Sequence, residues 1–390
     1  MMVNCKKRGV AIIDFGSQYT KLIARCVREK HVFSEIFSPD TKIVNILKND
    51  PKAIILSGGP SSVNDSNAPR FDKNIFQSKI PFLGICYGLQ LLIKEYGGNV
   101  SSKEGGEYGY ADIIVKRKNR LFEGIKIKSK VWMSHGDQVD KIPESWNILA
   151  LSSNNIIAAV SNQEQTRFAT QFHPEVAHTQ EGSKIISNFL FNIAHCQPDW
   201  TPTNFIKQKI KSIRKQVGDG KVLVGVSGGV DSSVVAALVN KAIGNKMHAV
   251  LIDHGLMRDS EAKDCEKFLK EGLGINITIF NESNFFLDKL KNVVEPEQKR
   301  KIIGKQFIES FDRIAEEGAN FKFLAQGTLY PDVIESGMSS HNTAHVIKSH
   351  HNVGGLPDNI KFELVEPLRE LFKDEVRDVG RALGISNKLI

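Results

Sequence analysis

Short apolar runs followed by glycine-containing turns recur along the first half of this 390-residue chain. Unbroken apolar runs of four or five residues, bounded by turn residues, are typical of strands buried on both faces. The predicted strands lie at residues 10–14, 53–56 and 81–85. A helix is predicted at residues 89–96 and ends at Gly97 and Gly98. Between residues 111 and 159 the alternation of apolar and polar positions favours further strands.

The second half alternates strands and helices after a polar interval at residues 197–204, which contains two prolines and is typical of a linker. A basic helix at residues 205–217 follows. The predicted strands are 222–226, 248–253, 275–280 and 321–325, and the predicted helices are 234–243, 261–271 and 298–317. Such alternation predicts parallel sheets covered by helices. The expected fold class is therefore α/β, with doubly wound parallel-sheet domains at residues 1–196 and 205–390.

Composition narrows the class of protein without identifying it. Hydrophobic residues make up 41% and charged residues 25% of the chain, which is ordinary for a globular protein. No apolar stretch is long enough to span a bilayer, and Asp14 interrupts the apolar run after the basic start. We therefore expect neither a membrane partner nor a secretory signal. Five cysteines without paired spacing argue against disulfides or a zinc site and favour a reducing cytoplasm.

The net charge of +8 has three interpretations: a nucleic-acid partner, anionic small substrates, or a solvated basic surface. No basic tract dominates the chain, and basic residues do not alternate with aromatic ones. We therefore predict no nucleic-acid partner.

A glycine-rich turn joins the strand at 222–226 to the following helix and is the most informative segment of the chain. It consists of Ser227, Gly228, Gly229, Val230, Asp231, Ser232 and Ser233. Free N–H groups at a helix N-terminus bind phosphate, and small residues let the backbone approach it. No lysine follows the glycines, so the loop differs from that of γ-phosphoryl-transfer enzymes. Asp231 offers a carboxylate for Mg²⁺ beside a pyrophosphate. The alternative is a turn whose small residues serve packing alone.

A second strand–helix turn, residues 84–88, has the glycine-x-cysteine-x-glycine form of a nucleophile elbow. Its glycines allow a sharp turn that presents Cys86, and the helix N-terminus that follows favours the thiolate. His173 is the candidate base and Glu175 its orienting partner, in the order of a Cys-His-Glu triad. The N–H of Tyr87 is placed to stabilise an oxyanion, and the turn at 57–60 offers a second donor. Taken alone, Cys86 and His173 would suit a protein core equally well.

These motifs resemble those of the GMP synthetase family, the glutamine-hydrolysing type. The elbow and residues 171–175 are similar to a class I glutamine amidotransferase domain with a flavodoxin-like fold. The Ser227 loop is similar to that of N-type ATP pyrophosphatases, which have an adenine-nucleotide α-hydrolase-like fold. The resemblance covers nearly the whole chain. Further matching segments are 14–19, 57–60, 133–137, 299–304, 325–336, 348–357 and 371–377.

The resemblance implies two coupled reactions that require Mg²⁺, with ATP as co-substrate. A Cys86 glutaminase, with the Gly59 and Tyr87 N–H groups as its oxyanion hole, releases ammonia from glutamine. Xanthosine monophosphate (XMP) is adenylated at the second site, and ammonia then displaces AMP to give GMP. The resemblance also implies that Gly327 and Lys373 contact ATP.

For the nucleotide acceptor, the resemblance points to Arg300 and Lys348. A charged helix face is the alternative for Arg300. Asp253 and Gln326 lie at the predicted strand ends beside the expected ATP site, and for these two residues and Asp332 the alternative is a loop-capping role. Residues 336–356 contain four histidines without an accompanying cysteine or carboxylate set, so a mobile lid is expected there rather than a metal site.

The family continues into a C-terminal domain that serves homodimerisation and completes the XMP site, and that domain is expected to begin where this chain ends, at Ile390. Two competing interpretations follow. Other adenylating amidotransferases share the two domains but use another acceptor, which residues 330–336 and 348–357 disfavour. A chain retaining only glutaminase activity, or a nucleotide-binding regulatory role, is the second alternative, and the intact Cys86 and Asp231 argue against it.

Overall fold

The computed structural model describes residues 8–258, 260–317, 321–338, 362–387 and 389–390. The chain divides into two compact units, Met1–Trp200 and Thr201–Ile390. Within the described residues, no helix combines the length and the apolar character needed to cross a membrane.

Strands and helices alternate at the start of the first unit, and strands predominate after its third helix. The strands are β1 (Val10–Ile13), β2 (Ser34–Phe37), β3 (Ala53–Leu56), β4 (Phe82–Ile85), β5 (Asn99–Val115), β6 (Lys128–Lys141), β7 (Trp146–Ser152), β8 (Ile157–Asn162) and β9 (Arg167–Thr170). The helices are α1 (Thr20–Arg28), α2 (Ile43–Ile46), α3 (Tyr87–Glu95) and α4 (Gly182–Ser187). Shorter helical turns are Leu47–Asn49, Lys73–Gln77 and the π-helical Asn188–Ile193.

The first sheet is mixed. Over the described residues its nine strands have the order β2-β1-β3-β4-β9-β8-β7-β5-β6. In the first half of this order, β2-β1-β3-β4-β9, neighbouring strands are parallel. In the second half, β9-β8-β7-β5-β6, neighbouring strands are antiparallel. The α/β fold class is confirmed. The prediction of a parallel sheet did not include its antiparallel half. The four-residue connection between β7 and β8 is too short for a parallel crossover, which needs about a dozen residues.

The second unit has a smaller sheet. Its strands are β10 (Val222–Gly225), β11 (Met247–Asp253), β12 (Ile277–Asn281), β13 (Phe323–Ala325) and β14 (Glu363–Val365). Its helices are α5 (Pro202–Val217), α6 (Val230–Ile243), α7 (Glu261–Leu273), α8 (Ser283–Leu290), α9 (Pro296–Glu317), α10 (Tyr330–Met338) and α11 (Lys373–Ala382), with the helical turn Gly244–Lys246. The strand order over the described residues is β12-β11-β10-β13-β14, and all pairs are parallel. This sheet agrees with the prediction for the second block.

Helices α5 and α6 both begin well before their predicted first residues, 205 and 234, and the two differences have the same cause. Helix α5 begins at Pro202, within the predicted linker, because the Thr201 side chain accepts a hydrogen bond from the Asn204 N–H. Helix α6 begins at Val230, with Gly229 as N-cap. Residues 230–233 of the predicted loop are therefore its first turn. Polar and small residues at these positions cap or start a helix, which apolar periodicity does not reveal.

Candidate active sites

Cys86 occupies a strained turn between β4 and α3. Its φ is +53° and its ψ is −103°, a conformation that residues other than glycine rarely adopt. A Cβ at Gly84 would lie 2.5 Å from the Gly88 carbonyl oxygen, and one at Gly88 would lie 2.4 Å from the Leu56 carbonyl oxygen. The two glycines therefore allow α3 to start directly against the sheet. The turn holds Cys86 at the carboxyl end of β4, as the elbow motif predicts.

His173 and Glu175 form a buried hydrogen-bonded pair, with 2.8 Å between Nδ1 and the Glu175 Oε1. Burial lowers the pKa of His173, but the charge of Glu175 and the hydrogen bonds to Cys86 and Glu175 outweigh it and raise the pKa to about 10. At neutral pH His173 is therefore an imidazolium whose Nδ1–H donates to Glu175. Its other ring nitrogen is left for Cys86.

Strand pairing brings this segment to the cysteine. The Cys86 N–H donates to the Thr170 carbonyl at 2.8 Å, which extends the β4–β9 pairing to the edge of the sheet. A Cβ at Gly58 would lie 3.2 Å from His173 Cε1 and 3.7 Å from Cys86 Cβ, so both side chains border the same space. The three predicted triad residues are thus brought together.

The two predicted oxyanion donors are the N–H groups of Tyr87, the residue after Cys86, and of Gly59, in the turn after β3. The Tyr87 N–H belongs to the first turn of α3, where no intrahelical acceptor exists. A Cβ at Gly59 would lie 2.6 Å from the Phe15 carbonyl oxygen, so the backbone needs a glycine to pack there. The oxyanion role of both residues stays a prediction.

The sequence assigned no role to four polar residues, of which Ser134 and Gln171 contact Cys86 and His135 interacts electrostatically with His173. The Ser134 carbonyl oxygen lies 3.5 Å from the Cys86 sulfur, and the Gln171 Nε2 lies 3.7 Å from it. His135 and Glu107 face each other across strands β6 and β5, with 3.6 Å between Nε2 and Oε2. Burial lowers the pKa of His135. The one sequence signal for Gln171 was its place in the same motif as His173, residues 171–175.

The other cysteines differ from Cys86 in setting. Burial raises the pKa of Cys26 and Cys196 to about 12 and that of Cys265 to about 11. All described cysteines carry free thiols, and Cys5 lies outside the described residues.

The second unit holds a cavity of about 480 Å³ at the predicted pyrophosphate loop. Gly228 has a φ of +78°, which requires glycine, and the Ser227 N–H donates to the Ser232 hydroxyl at 3.1 Å. Strand β11 lines the cavity with Val250 and Ile252, whereas Leu251 between them does not line it, because successive side chains of a strand point to opposite faces.

Asp231 and Lys373 lie at this cavity and bind each other. The Lys373 Nζ is 2.7 and 2.6 Å from the two Asp231 carboxylate oxygens. A Cβ at Gly327 would lie 3.4 Å from the Asp231 Cβ, so the loop after β13 passes close to the start of α6. The loop, Gly327 and Lys373 therefore line one cavity, as residues of a common site must.

The other described residues with a predicted contact role, Arg300, Asp253 and Asp332, make contacts with groups close to them in the chain. Arg300 pairs with Glu297 at 3.2 Å on an exposed face of α9, the charged-face alternative. Asp253 accepts from the Gly255 N–H at 3.1 Å and Asp332 from the Leu329 N–H at 2.9 Å, both capping contacts. Lys348 and residues 339–356 of the predicted lid lie outside the described residues, whereas residues 336–338 form the end of helix α10.

Comparisons with known proteins found matches to both units. Residues 11–193 match the family model of class-I glutamine amidotransferases, and residues 201–303 match that of NAD synthase. The GMP synthase (glutamine-hydrolyzing) of Clostridium tetani is 51% identical over 385 residues, 99% of this chain and 75% of the relative. That of Lactobacillus gasseri is 50% identical over 382 residues, 98% of this chain and 73% of the relative.

A solved structure was also matched, that of a putative GMP synthase protein from Thermoplasma acidophilum. It is 29% identical, with a TM-score of 0.43, over 46% of this chain and 90% of its own. The two curated relatives, aligned over almost all of this chain, show that it belongs to the family of glutamine-hydrolysing GMP synthases, ligases that join an amidotransferase domain to an ATP pyrophosphatase domain.

Proposed function

We propose that this chain makes GMP from XMP, ATP and glutamine, with residues 1–196 releasing ammonia from glutamine and residues 205–390 activating XMP. The observation that carries the proposal is the presence, in one chain, of a buried Cys86–His173–Glu175 set and of a pyrophosphate-type loop bordering a cavity. Neither site alone would specify an enzyme that uses glutamine nitrogen to displace AMP.

In the first unit, the Cys86 thiolate attacks the side-chain amide carbon of glutamine. His173 gives its proton to the departing nitrogen, the carbon–nitrogen bond breaks, and ammonia leaves. His173 then takes a proton from water, which attacks the thioester and releases glutamate. Glu175 holds the imidazole through the 2.8 Å hydrogen bond, and the N–H groups of Gly59 and Tyr87 stabilise the oxyanion.

In the second unit, the C2 oxygen of XMP attacks the α-phosphorus of ATP, and pyrophosphate leaves. Ammonia then attacks C2 and displaces AMP to give GMP. Residues 227–233 present N–H groups and hydroxyls to the pyrophosphate, as the N-terminus of α6 favours an anion. Lys373 exchanges its contact with Asp231 for a phosphate oxygen, and Gly327 lets the nucleotide approach the sheet. Arg300 and Lys348 remain the proposed XMP contacts.

Magnesium suits the residues at this cavity. Mg²⁺ uses one or two carboxylates together with substrate phosphates, and Asp231 supplies such an oxygen ligand at the loop. A cluster of three or more acidic, histidine or cysteine ligands is absent from the part of the chain that the structure describes, and this mode of binding does not need one. Asp231 would hold the ion, which when bound neutralises charge on the pyrophosphate.

Pyrophosphate release tests the proposal. The purified chain is incubated with Mg-ATP and ammonium, with and without XMP, and glutamate formation from glutamine is followed separately. Release that requires XMP identifies the acceptor, and Cys86→Ala then abolishes only the glutamine-dependent reaction. Glutamate formation without any XMP-dependent pyrophosphate release would contradict the assignment of the second unit and leave a glutaminase.

A further inference from the structure

Gln171 is fully buried beside the nucleophile, directly after β9. Its Nε2 lies 3.7 Å from the Cys86 sulfur, and its Oε1 is buried without a hydrogen-bond partner among the described residues. Its backbone N–H donates to the Ala158 carbonyl at 2.9 Å, which anchors the residue to β8. We propose that Gln171 is a catalytic residue whose side-chain amide donates a hydrogen bond to the Cys86 sulfur and stabilises the thiolate. The proposal rests on the glutaminase role of Cys86.

The other groups around the sulfur explain why such a donor is needed. In the thiol form, Cys86 donates to the Ser134 carbonyl oxygen at 3.5 Å. Once the proton leaves, the same carbonyl oxygen faces an anion, and the contact becomes unfavourable. The thiolate then depends on hydrogen-bond donors, and among the described residues His173 and Gln171 are placed to donate to it.

The two donors act at different stages of the reaction. His173 gives up its proton when ammonia departs and takes one from water in the next step. When the tetrahedral intermediate collapses, the carbon–sulfur bond breaks and its electron pair returns to the Cys86 sulfur. Gln171 is neutral, so its N–H stays available throughout. It stabilises sulfur both as nucleophile and as leaving group.

The orientation of the amide follows from the same charges. An Oε1 turned towards the sulfur would place a second oxygen against the thiolate beside that of Ser134. A buried amide oxygen without a partner is unfavourable, and an apolar side chain of similar length would fill the same space without that penalty. The hydrogen bond that the N–H group donates therefore explains why a glutamine stands at this position.

Alkylation of Cys86 measures the proposed effect directly. The rate of modification by iodoacetamide is followed from pH 5 to pH 10 by mass spectrometry of the Cys86 peptide, in the full chain. Gln171→Met keeps the length of the side chain but lacks the N–H group. In this variant the pH midpoint of the alkylation rate should rise by about one unit, because a hydrogen bond to a charged group is stronger than one between neutral groups. The kcat of glutamine hydrolysis should fall about tenfold, with KM within about twofold.

Gln90→Met is the matched control. Gln90 is also buried, and its Nε2 donates to the Asp137 carbonyl at 3.0 Å rather than to the sulfur. Its alkylation midpoint should match that of the wild type. Gln171→Asn keeps an amide, but its shorter side chain moves the N–H group away from the Cys86 sulfur. This variant provides the measurement if Gln171→Met does not fold.

An alkylation profile of a folded Gln171 variant that coincides with the wild type would overturn the proposal, as would an equal shift in Gln90→Met. Failure of the underlying glutaminase assignment is distinguishable from this result. In that case the wild-type chain itself forms no glutamate from glutamine, whatever residue stands at position 171.

Discussion

The Lys373 ammonium and the Asp231 carboxylate form a two-oxygen ion pair that lines the cavity of the second unit, with distances of 2.7 and 2.6 Å. The sequence suggested a separate anion-binding role for Lys373 and a cation-binding role for Asp231. Under the proposed function, a phosphate oxygen takes the place of Asp231 beside Lys373, and Mg²⁺ takes the place of Lys373 beside Asp231.

Replacing this lysine should weaken nucleotide binding. We expect Lys373→Met to raise the Kd for Mg-ATP about tenfold or more, because a hydrogen-bonded charge contact to phosphate is lost. Isothermal titration calorimetry measures it. Lys289→Met is the control, since Lys289 pairs with Glu309 at 2.8 Å outside the residues that line the cavity. Equal losses in both variants would argue against a specific contact.

Asp231→Asn should remove the advantage that magnesium gives to ATP binding. The amide lacks the charge that holds a hard cation, so the Kd for ATP should become nearly independent of Mg²⁺. Calorimetric titrations of ATP with and without the ion, in wild type and variant, give the ratio. A magnesium effect of unchanged size in Asp231→Asn would show that the ion is held elsewhere.

Glu175→Gln should impair glutamine hydrolysis without blocking the second site. Loss of the carboxylate removes the group that raises the His173 pKa and fixes its ring, and kcat should fall about 10²- to 10⁴-fold. Ammonia-dependent pyrophosphate release should stay within about twofold of the wild type, because Glu175 belongs to the other unit. A similar loss in both reactions would indicate general unfolding.

The raised pKa of His173 also predicts how stability depends on pH. The pKa is about 10 in the folded state against an ordinary value of 6.5, so protonation favours the folded state. This contribution is complete below about pH 6.5 and is lost as the pH rises through 10. The difference in unfolding free energy between wild type and His173→Asn should therefore decrease from pH 6.5 to pH 10. Urea denaturation at each pH tests this, and a constant or growing difference would contradict it.

Gly88→Ala should destabilise the first unit by about 3 kcal/mol, because the new methyl group would lie 2.4 Å from the Leu56 carbonyl oxygen. Gly272→Ala is the control. Its Cβ would meet Phe268 at 3.7 Å, an ordinary contact, so a gain of about 0.5–1 kcal/mol in helix stability is expected. Thermal unfolding followed by circular dichroism separates the two. Equal melting temperatures for Gly88→Ala and the wild type would show that the elbow relaxes.

The sequence by itself determined the two α/β blocks, the elbow and the glycine-rich turn that begins helix α6. Each of these depends on residues close together in the chain: an apolar strand, small residues at the turn, and the helix that follows. Cys86 and residues 227–233 were therefore identifiable without a structure. Apolar periodicity did not reveal short elements such as β2 and β14, nor the first residues of helices that begin with polar or small residues, as at Pro202 and Val230.

Only the tertiary structure decided which distant groups meet. Strand β9 pairs with β4 although four strands intervene in the chain, and this pairing brings His173 and Gln171 to Cys86. The ion pair between Lys373 and Asp231 likewise joins residues 142 positions apart. The physical reason is the same in both cases. A parallel sheet gathers the carboxyl ends of its strands at one edge, and strand order, which local sequence does not encode, determines which side chains become neighbours there.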